Sequence, residues 1–526
     1  MGEVSQPMLI RTNGNGQKPH ALLLYPKTGL DLGSTVAPPH ALLTVAAPML
    51  KAGYNVKLLD QRVEPITEDI LRPLISSDLL AVGISTMTGT QCYFSIGLAK
   101  MVRKLTDGKV PITWGGCHPT VTPEQTLSHP LVDIVAVGEG DYTLLDIVEA
   151  LGAKRSLVNV PGILYKDGPT PVKTLPRPML NVEELLPTPW ELVDPEKYIH
   201  RDMYLRDRHR VLDIGQTSRG CPFDCAFCSS ASIRERKWRA QSVDRVLDDL
   251  QKAIRDFKLD GWWWRDDEFY IKRKRAHEIC ERIVAAGIDG SFYTSGTRCD
   301  VFGKATEEEV RVMKLAGAHT LKFGAESGSQ RILDLMQKDI TVAQTLEANQ
   351  KCKRHGITPA FALMVGYPTE TFKEINQTID LGYRLKRENP QAELETMAQY
   401  TPLPGTPDWY LALQHGLVPP NSLEEWANWN FDEYDLDGRK SPWYGRRERR
   451  WLGNVSYLSI LANSLDNVVT SLKNPWVRWP ARALVKPASK YFKWRLATHR
   501  YRTVPELEAV RILREKLFYK STFTFE

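Results

Sequence analysis

Three cysteines fall within eight residues in Ser218-Arg-Gly-Cys-Pro-Phe-Asp-Cys-Ala-Phe-Cys228, giving the spacing C-x3-C-x2-C at Cys221, Cys225 and Cys228. Thiolates are the usual ligands of a 4Fe-4S cluster, which normally takes four, so a compact triplet with no fourth cysteine close by implies a cubane with one iron left open for chemistry. Zinc fits less well, because a structural zinc wants four closed ligands, usually as two pairs, and no second pair follows. Three merely structural cysteines would not explain the crowding beside Arg219, Gly220 and Pro222. The remaining five, Cys92, Cys117, Cys280, Cys299 and Cys352, are scattered and read as small buried hydrophobes. Of these, Cys117 and Cys299 sit beside loops suited to ligands.

Such a triplet needs a rigid support, and the surrounding pattern supplies one. After the linker Asn181-Val-Glu-Glu-Leu-Leu-Pro-Thr-Pro189, strand candidates recur at Leu212–Thr217, Gly261–Arg265, Ser291–Ser295, Thr320–Phe323, Pro359–Leu363 and Leu394–Tyr400, with helical stretches between. Six βα units predict a partial barrel whose functional ends are the carboxyl ends of its strands, and the cysteine loop follows the first. Trp262-Trp263-Trp264 lies on one of these strands, so alternation sends Trp263 to one face and its neighbours to the other. Core filling is the plain reading of that run, and an aromatic wall for a large apolar substrate is the sharper one.

Before the linker the chain alternates strand and helix: His20–Tyr25, a helix over Ala41–Ala52, then strands at Tyr54–Asp60, Leu79–Ser85, Val110–Trp114 and Ile134–Val137. That order predicts a doubly wound parallel sheet, with ligands at the carboxyl ends of the strands. The loops there are Lys27–Pro39, Ser85-Thr86-Met87-Thr88-Gly89, Gly115-Gly116-Cys117-His118-Pro119 and Gly138-Glu139-Gly140-Asp141. Glycine lets a bulky or phosphate-bearing ligand approach the backbone, and Ser and Thr supply hydroxyls. No G-x-G-x-x-G follows the first strand, which argues against a dinucleotide.

The cysteine run, with Phe227 before the third cysteine, resembles the signature of the radical S-adenosylmethionine (SAM) superfamily. The resemblance implies that Cys221, Cys225 and Cys228 hold the cluster, that the open iron chelates SAM, and that reductive cleavage yields a 5′-deoxyadenosyl radical. Asp266-Asp267-Glu268-Phe269 resembles the acidic segment that helps hold the amino group of SAM. Gly324-Ala-Glu326-Ser resembles G-x-E-S, with Glu326 a candidate for ribose hydroxyls. Gly366-Tyr-Pro-Thr-Glu370 resembles G-x-P-x-E, and Tyr400–Thr406 resembles Y-T-P-x-P-G-T. Arg298 is a candidate to pair with a carboxylate of SAM or substrate.

The N-terminal loops resemble the cobalamin-binding domain that precedes the barrel in one subclass, through Gly115, Gly116, His118 and Thr120 and through Gly138, Glu139 and Gly140. Ser85, Thr86 and Thr88 join them as candidate cobalamin contacts. Tyr25-Pro-Lys-Thr-Gly-Leu stands where many cobalamin proteins carry D-x-H-x-x-G, which implies a cobalt without a histidine below it. His40 and His118 remain candidate lower ligands. The resemblance spans residues 20–410 and implies either the methylase branch or the oxidative ring cyclase branch, similar to anaerobic magnesium-protoporphyrin ester cyclase. In both, a flavodoxin- or ferredoxin-type protein supplies the electron.

The 526 residues divide by this reading into an arm (1–18), a cobalamin-binding domain (19–155), a linker (156–205), a radical SAM partial barrel (206–410) and a mainly helical C-terminal region (411–526). With 42% hydrophobic and 25% charged residues the chain has an ordinary globular composition. No charged-then-apolar leader and no long apolar run is evident, and the cysteines suit a reducing compartment, so a cytoplasmic location is expected. The net charge of +6 is uneven: Arg439–Glu526 holds 19 Lys and Arg against 6 Asp and Glu, leaving −7 for the first 438 residues. In that tail Val455, Leu458, Leu461, Leu465, Val468 and Leu472 form one apolar helical face. Asn474–Arg495 then interleaves aromatic rings with Lys and Arg. An anionic bilayer at the inner membrane surface or a nucleic acid could use that mixture, and a solvated basic face is the bland reading. The membrane or a lipid-like substrate is favoured over nucleic acid, because RNA methylthiolating relatives carry three further N-terminal cysteines and only Cys92 and Cys117 are present here. A cobalamin or metal sensor is the non-enzymatic alternative.

Overall fold

A computed structural model describes residues 20–29, 36–200, 204–205, 207–429, 438, 440–463 and 475–508, the side chains of 475–484 excepted. The chain forms two compact units. The first contains residues up to Leu180 together with Glu184–Tyr198 and Asn421–Trp429; the second contains Asn181–Glu183, Ile199–Pro420 and the chain from Asn430 onward.

The first unit is built on β1 (Ala21–Tyr25), β2 (Val56–Asp60), β3 (Ala81–Ser85), β4 (Ile112–Gly115) and β5 (Ile134–Ala136), followed by β6 (Ile163–Asp167) and β7 (Thr170–Lys173), in the order β2-β1-β3-β4-β5-β6-β7. The first five are parallel, as their apolar runs predict: Ala21, Leu22, Leu23 and Leu24 are wholly buried, the pattern of a strand covered by helices on both faces. The last two are antiparallel additions inside the stretch expected to be a linker. The outer strand, Thr-Pro-Val-Lys, is short and largely exposed, so it carries no apolar signal.

The second unit holds a six-stranded parallel sheet in the order β15-β14-β13-β12-β11-β8, made of β8 (Val211–Asp213), β11 (Gly261–Trp264), β12 (Ser291–Thr297), β13 (Ala318–Glu326), β14 (Thr358–Val365) and β15 (Glu393–Gln399). All six predicted strands are present. An added two-stranded hairpin, β9 (Ser218–Arg219) with β10 (Arg239–Ala240), flanks the cysteine loop. The Trp run divides by alternation: Trp262 and Trp264 are buried against Val246, Leu247, Ile279 and Ile283 of the flanking helices, whereas half-buried Trp263 stacks on Tyr293 at 5.0 Å and 10°. Two of the three indoles are therefore core.

Of the predicted apolar face in the tail, Val455 and Leu458 are buried on the helix Arg446–Asn463 and Leu461 packs beside them; Leu465, Val468 and Leu472 lie outside the described residues. A second helix, Pro475–Ala497, presents Tyr491 and Trp494 to solvent. Among the described residues, no helix is long and apolar enough to cross a membrane.

Candidate active site

The cysteine loop is seated by a buried carboxylate. Asp266, just past β11, accepts from the Thr217 amide and hydroxyl (both 2.6 Å) and from the Ser218 amide (3.2 Å) and hydroxyl (2.9 Å). Both its oxygens are thus engaged in fixing the strand that enters the loop, rather than presented to a ligand. Burial pushes its pKa up, and these four donors work against that shift. The neighbouring Asp267 accepts from the Gly220 amide at 2.9 Å. Gly220 has φ +86° and a Cβ there would lie 2.2 Å from the Lys237 carbonyl, so only glycine lets the β9–β10 hairpin close under the first cysteine. Farther along, the Ala226 amide donates to the Met336 carbonyl (2.8 Å), and the Asp408 amide donates to the Ala226 carbonyl (3.0 Å).

Cys225 is buried, and Cys221 and Cys228 are half-buried. Desolvation pushes the Cys221 thiol up to about 12 and the Cys228 thiol upward, so ionising them calls for a cation or metal to replace the proton. Among the described residues, no three such side chains converge on a single ion. A cubane makes no such demand, since each thiolate binds a different iron. Three soft sulfur donors on a pinned loop, beside buried cations, fit a 4Fe-4S cluster.

The other candidates surround this loop. Phe227 packs against Ile332, Met336, Tyr367 and Tyr400. Glu268 is buried, accepts from the Tyr270 amide at 3.1 Å, and has its pKa raised to about 8 by desolvation. Glu326 ends β13 in the left-handed region (φ +57°), and its carboxylate pairs with Lys338 Nζ at 2.8 Å. Arg298, expected to meet a ligand carboxylate, is committed within the protein: Nε donates to Asp300 (2.9 Å), Nη2 to the Lys338 carbonyl, and Nη1 to Cys225 Sγ (3.4 Å). Gly366 donates its amide to Glu370 Oε2 at 2.6 Å, so G-x-P-x-E is a turn closed on its own carboxylate, which burial pushes up to about 8.

Sequence reasoning missed Lys338 and Asp408. Asp408 accepts from the Tyr367 hydroxyl at 2.5 Å and is pushed up to about 6 by burial. Its only sequence signal was its place just after the Y-T-P-x-P-G-T segment.

In the first unit, the candidate cobalamin residues gather at the carboxyl ends of β3, β4 and β5. The Thr86 hydroxyl lies 2.9 Å from that of Ser95, and Thr88 Oγ1 lies 3.1 Å from His118 Nδ1. Gly116 (φ +101°) approaches Thr86, whose carbonyl oxygen would lie 2.8 Å from a Cβ, with the Ser85 hydroxyl at 3.3 Å. Beyond Gly115, Gly138 (φ +83°) faces open space, the cradle a bulky ligand needs. Near Gly140, Glu139 accepts from the Leu180 amide at 3.2 Å. His118 is wholly buried, its second nitrogen 3.3 Å from Thr122 Oγ1 and its ring edge-on to Trp426, and burial pushes its pKa down to about 3. That is a neutral, internally bonded histidine. His40 instead meets Trp190 edge-on. The open, glycine-lined strand ends suit a corrinoid.

Residues 216–382 match the radical SAM superfamily and residues 33–148 match the B12 binding domain. The chain is 33% identical over 387 residues to an uncharacterized methyltransferase of Pyrococcus horikoshii, spanning 73% of this chain and 80% of that protein. It belongs to the radical SAM superfamily, in the group that also carries a B12 binding domain, and its cofactors are a 4Fe-4S cluster, SAM and cobalamin. Within that group it is an enzyme of the methyltransferase family. It is 29% identical over 399 residues to the hopanoid C-3 methylase of Methylococcus capsulatus (74% of this chain, 70% of that one). It is also 26% identical over 377 residues to the anaerobic magnesium-protoporphyrin IX monomethyl ester cyclase of Cereibacter sphaeroides (70% and 59%). Its fold is that of the cobalamin-dependent SAM radical enzyme OxsB, with TM-score 0.72 at 20% identity over 96% of this chain and 76% of that one.

Proposed function

We propose that this enzyme methylates an unactivated carbon of a large, apolar small molecule of lipid, isoprenoid or tetrapyrrole-like character, with Cys221, Cys225 and Cys228 as the cluster ligands. The observation that carries the reading is the pinned cysteine loop at the carboxyl end of a half-barrel, in a chain that also has a B12 binding domain. When bound, the cofactors supply hydrogen abstraction and methyl delivery, chemistry that side chains cannot perform.

The chain's own residues hold, orient and exclude water. Asp266 fixes the entry to the loop, and Asp267 fixes Gly220. Glu268 is assigned to the amino group of SAM, Glu326 to its ribose, and Phe227 to packing beside it. Gly366 is assigned to the SAM site as part of the turn closed on Glu370. Ser85, Thr86, Thr88, Gly115, Gly116, Gly138, Glu139 and Gly140 are assigned to the corrinoid, with His118 bracing the Thr88 loop. The likeness to a hopanoid methylase supports an apolar substrate. A low-potential flavodoxin- or ferredoxin-type protein is the proposed electron donor.

Mass spectrometry of product formed anaerobically with methyl-labelled SAM tests the reading. A product carrying the labelled methyl on carbon is expected; a ring-closed product with no added methyl would assign the enzyme to the cyclase branch instead.

A further inference from the structure

Two buried cations, Arg298 and Lys338, lie beside the cysteine loop. Phe223 and Phe227 flank Cys225 in the chain, and each ring carries a cation: the Arg298 guanidinium lies 3.6 Å from the centre of Phe223, and Lys338 Nζ lies 5.5 Å from the centre of Phe227. Arg298 is 5% exposed and Lys338 7% exposed, so water screens neither. Arg298 Nη1 also donates to Cys225 Sγ at 3.4 Å, while Lys338 is held beside the loop by Glu326.

Their counter-charges are held on the other side. Asp300 takes Arg298 Nε at 2.9 Å, Glu326 takes Lys338 at 2.8 Å, and Arg298 Nη2 reaches the Lys338 carbonyl, which ties the two cations together. Other charged groups also meet the loop: Asp267 accepts from the Gly220 amide, Asp224 beside Cys225 pairs with Arg236 at 2.8 Å, and the Asp408 amide donates to the Ala226 carbonyl. Arg298 thus reaches Cys225 directly, and Lys338 stands over the ring of Phe227, two residues farther along the loop.

We propose that Arg298 and Lys338 form a cation clamp on Cys225 that raises the reduction potential of the cluster, making it reducible by a low-potential protein donor. The inference rests on the assignment of the cluster to Cys221, Cys225 and Cys228 made above. A cluster held by three thiolates already carries net negative charge, and reduction adds one more electron from the flavodoxin- or ferredoxin-type donor, which is itself oxidised by one. A fixed, buried cation favours the more negative state, its effect reduced by its paired carboxylate, and a hydrogen bond to sulfur acts in the same direction. Both are positioning residues, acting through the cysteine.

The test is an anaerobic redox titration of the reconstituted full-length protein, followed by electron paramagnetic resonance, with iron and sulfide counted on each sample. Arg298→Gln and Lys338→Met are each expected to retain the cluster and lower the reduction equilibrium constant about tenfold, a shift of about 59 mV for a one-electron couple. Arg298→Lys and Lys338→Arg, which keep the charge, should recover most of it. If Arg298→Gln fails to fold, Lys338→Met and its Arg rescue decide the matter. Loaded variants that titrate at the wild-type potential would overturn the clamp and leave the cluster assignment standing. A wild-type protein that takes up no cluster would overturn both.

Discussion

Asp266, not a cysteine, is the residue on which the geometry of the loop depends. Its carboxylate meets four donors, both backbone amides on Oδ1 and both hydroxyls on Oδ2, and Asp266→Ala leaves those buried donors without their acceptor. We expect a loss of about 1–3 kcal/mol in urea unfolding of the unloaded protein, with poorer cluster retention. His118 makes a different prediction. It stays neutral in the folded state down to about pH 3, while the unfolded chain protonates it below its ordinary value of 6.5. The unfolded state then binds more protons, so this residue makes stability fall as pH drops from 6.5 toward 3. His118→Gln should flatten that slope in urea midpoints measured between pH 7 and 4.5. At this scale the sequence revealed the residues that belong to a spaced motif. Lys338 escaped notice because a buried lysine on an irregular turn has no spacing to mark it. Arg298 was found, but its contacts with Cys225 and the Lys338 carbonyl were not legible, because they join segments far apart in the chain.

The elements show the same division. Strands with continuous apolar runs were legible to within a few residues in both sheets, because burial on two faces leaves no polar alternation to confuse the reading. The β6–β7 hairpin was not, for its outer strand is exposed, and the β9–β10 hairpin was not, for it has two residues a side. Yet that small hairpin is what holds the first cysteine in place. Gly220→Ala would put a Cβ 2.2 Å from the Lys237 carbonyl at φ +86°. The variant should lose about 1–3 kcal/mol and bind markedly less iron per chain, read by iron assay after reconstitution.

At the scale of the molecule, the chain divides into two compact units, and the segment Asn421–Trp429 returns from the C-terminal part to the first, where Trp426 donates to Gln125 at 2.6 Å. Composition could not show that return, because contacts between residues so distant leave no local pattern. The basic tail was legible as charge but not as shape. Exposed Tyr491 and Trp494 beside Lys490, Lys493 and Arg500 suit an anionic surface. Tyr491→Ala with Trp494→Ala should weaken co-sedimentation with phosphatidylglycerol vesicles severalfold, and wild-type binding should fall with added salt. The central claim, that Cys221, Cys225 and Cys228 hold the cluster on which SAM is cleaved, has a direct test in 5′-deoxyadenosine release by anaerobically reconstituted wild type and Cys225→Ala. Wild type should release it with a chemical reductant and the variant should fall to background, at least a hundredfold lower; a variant that cleaves SAM like wild type would contradict the account.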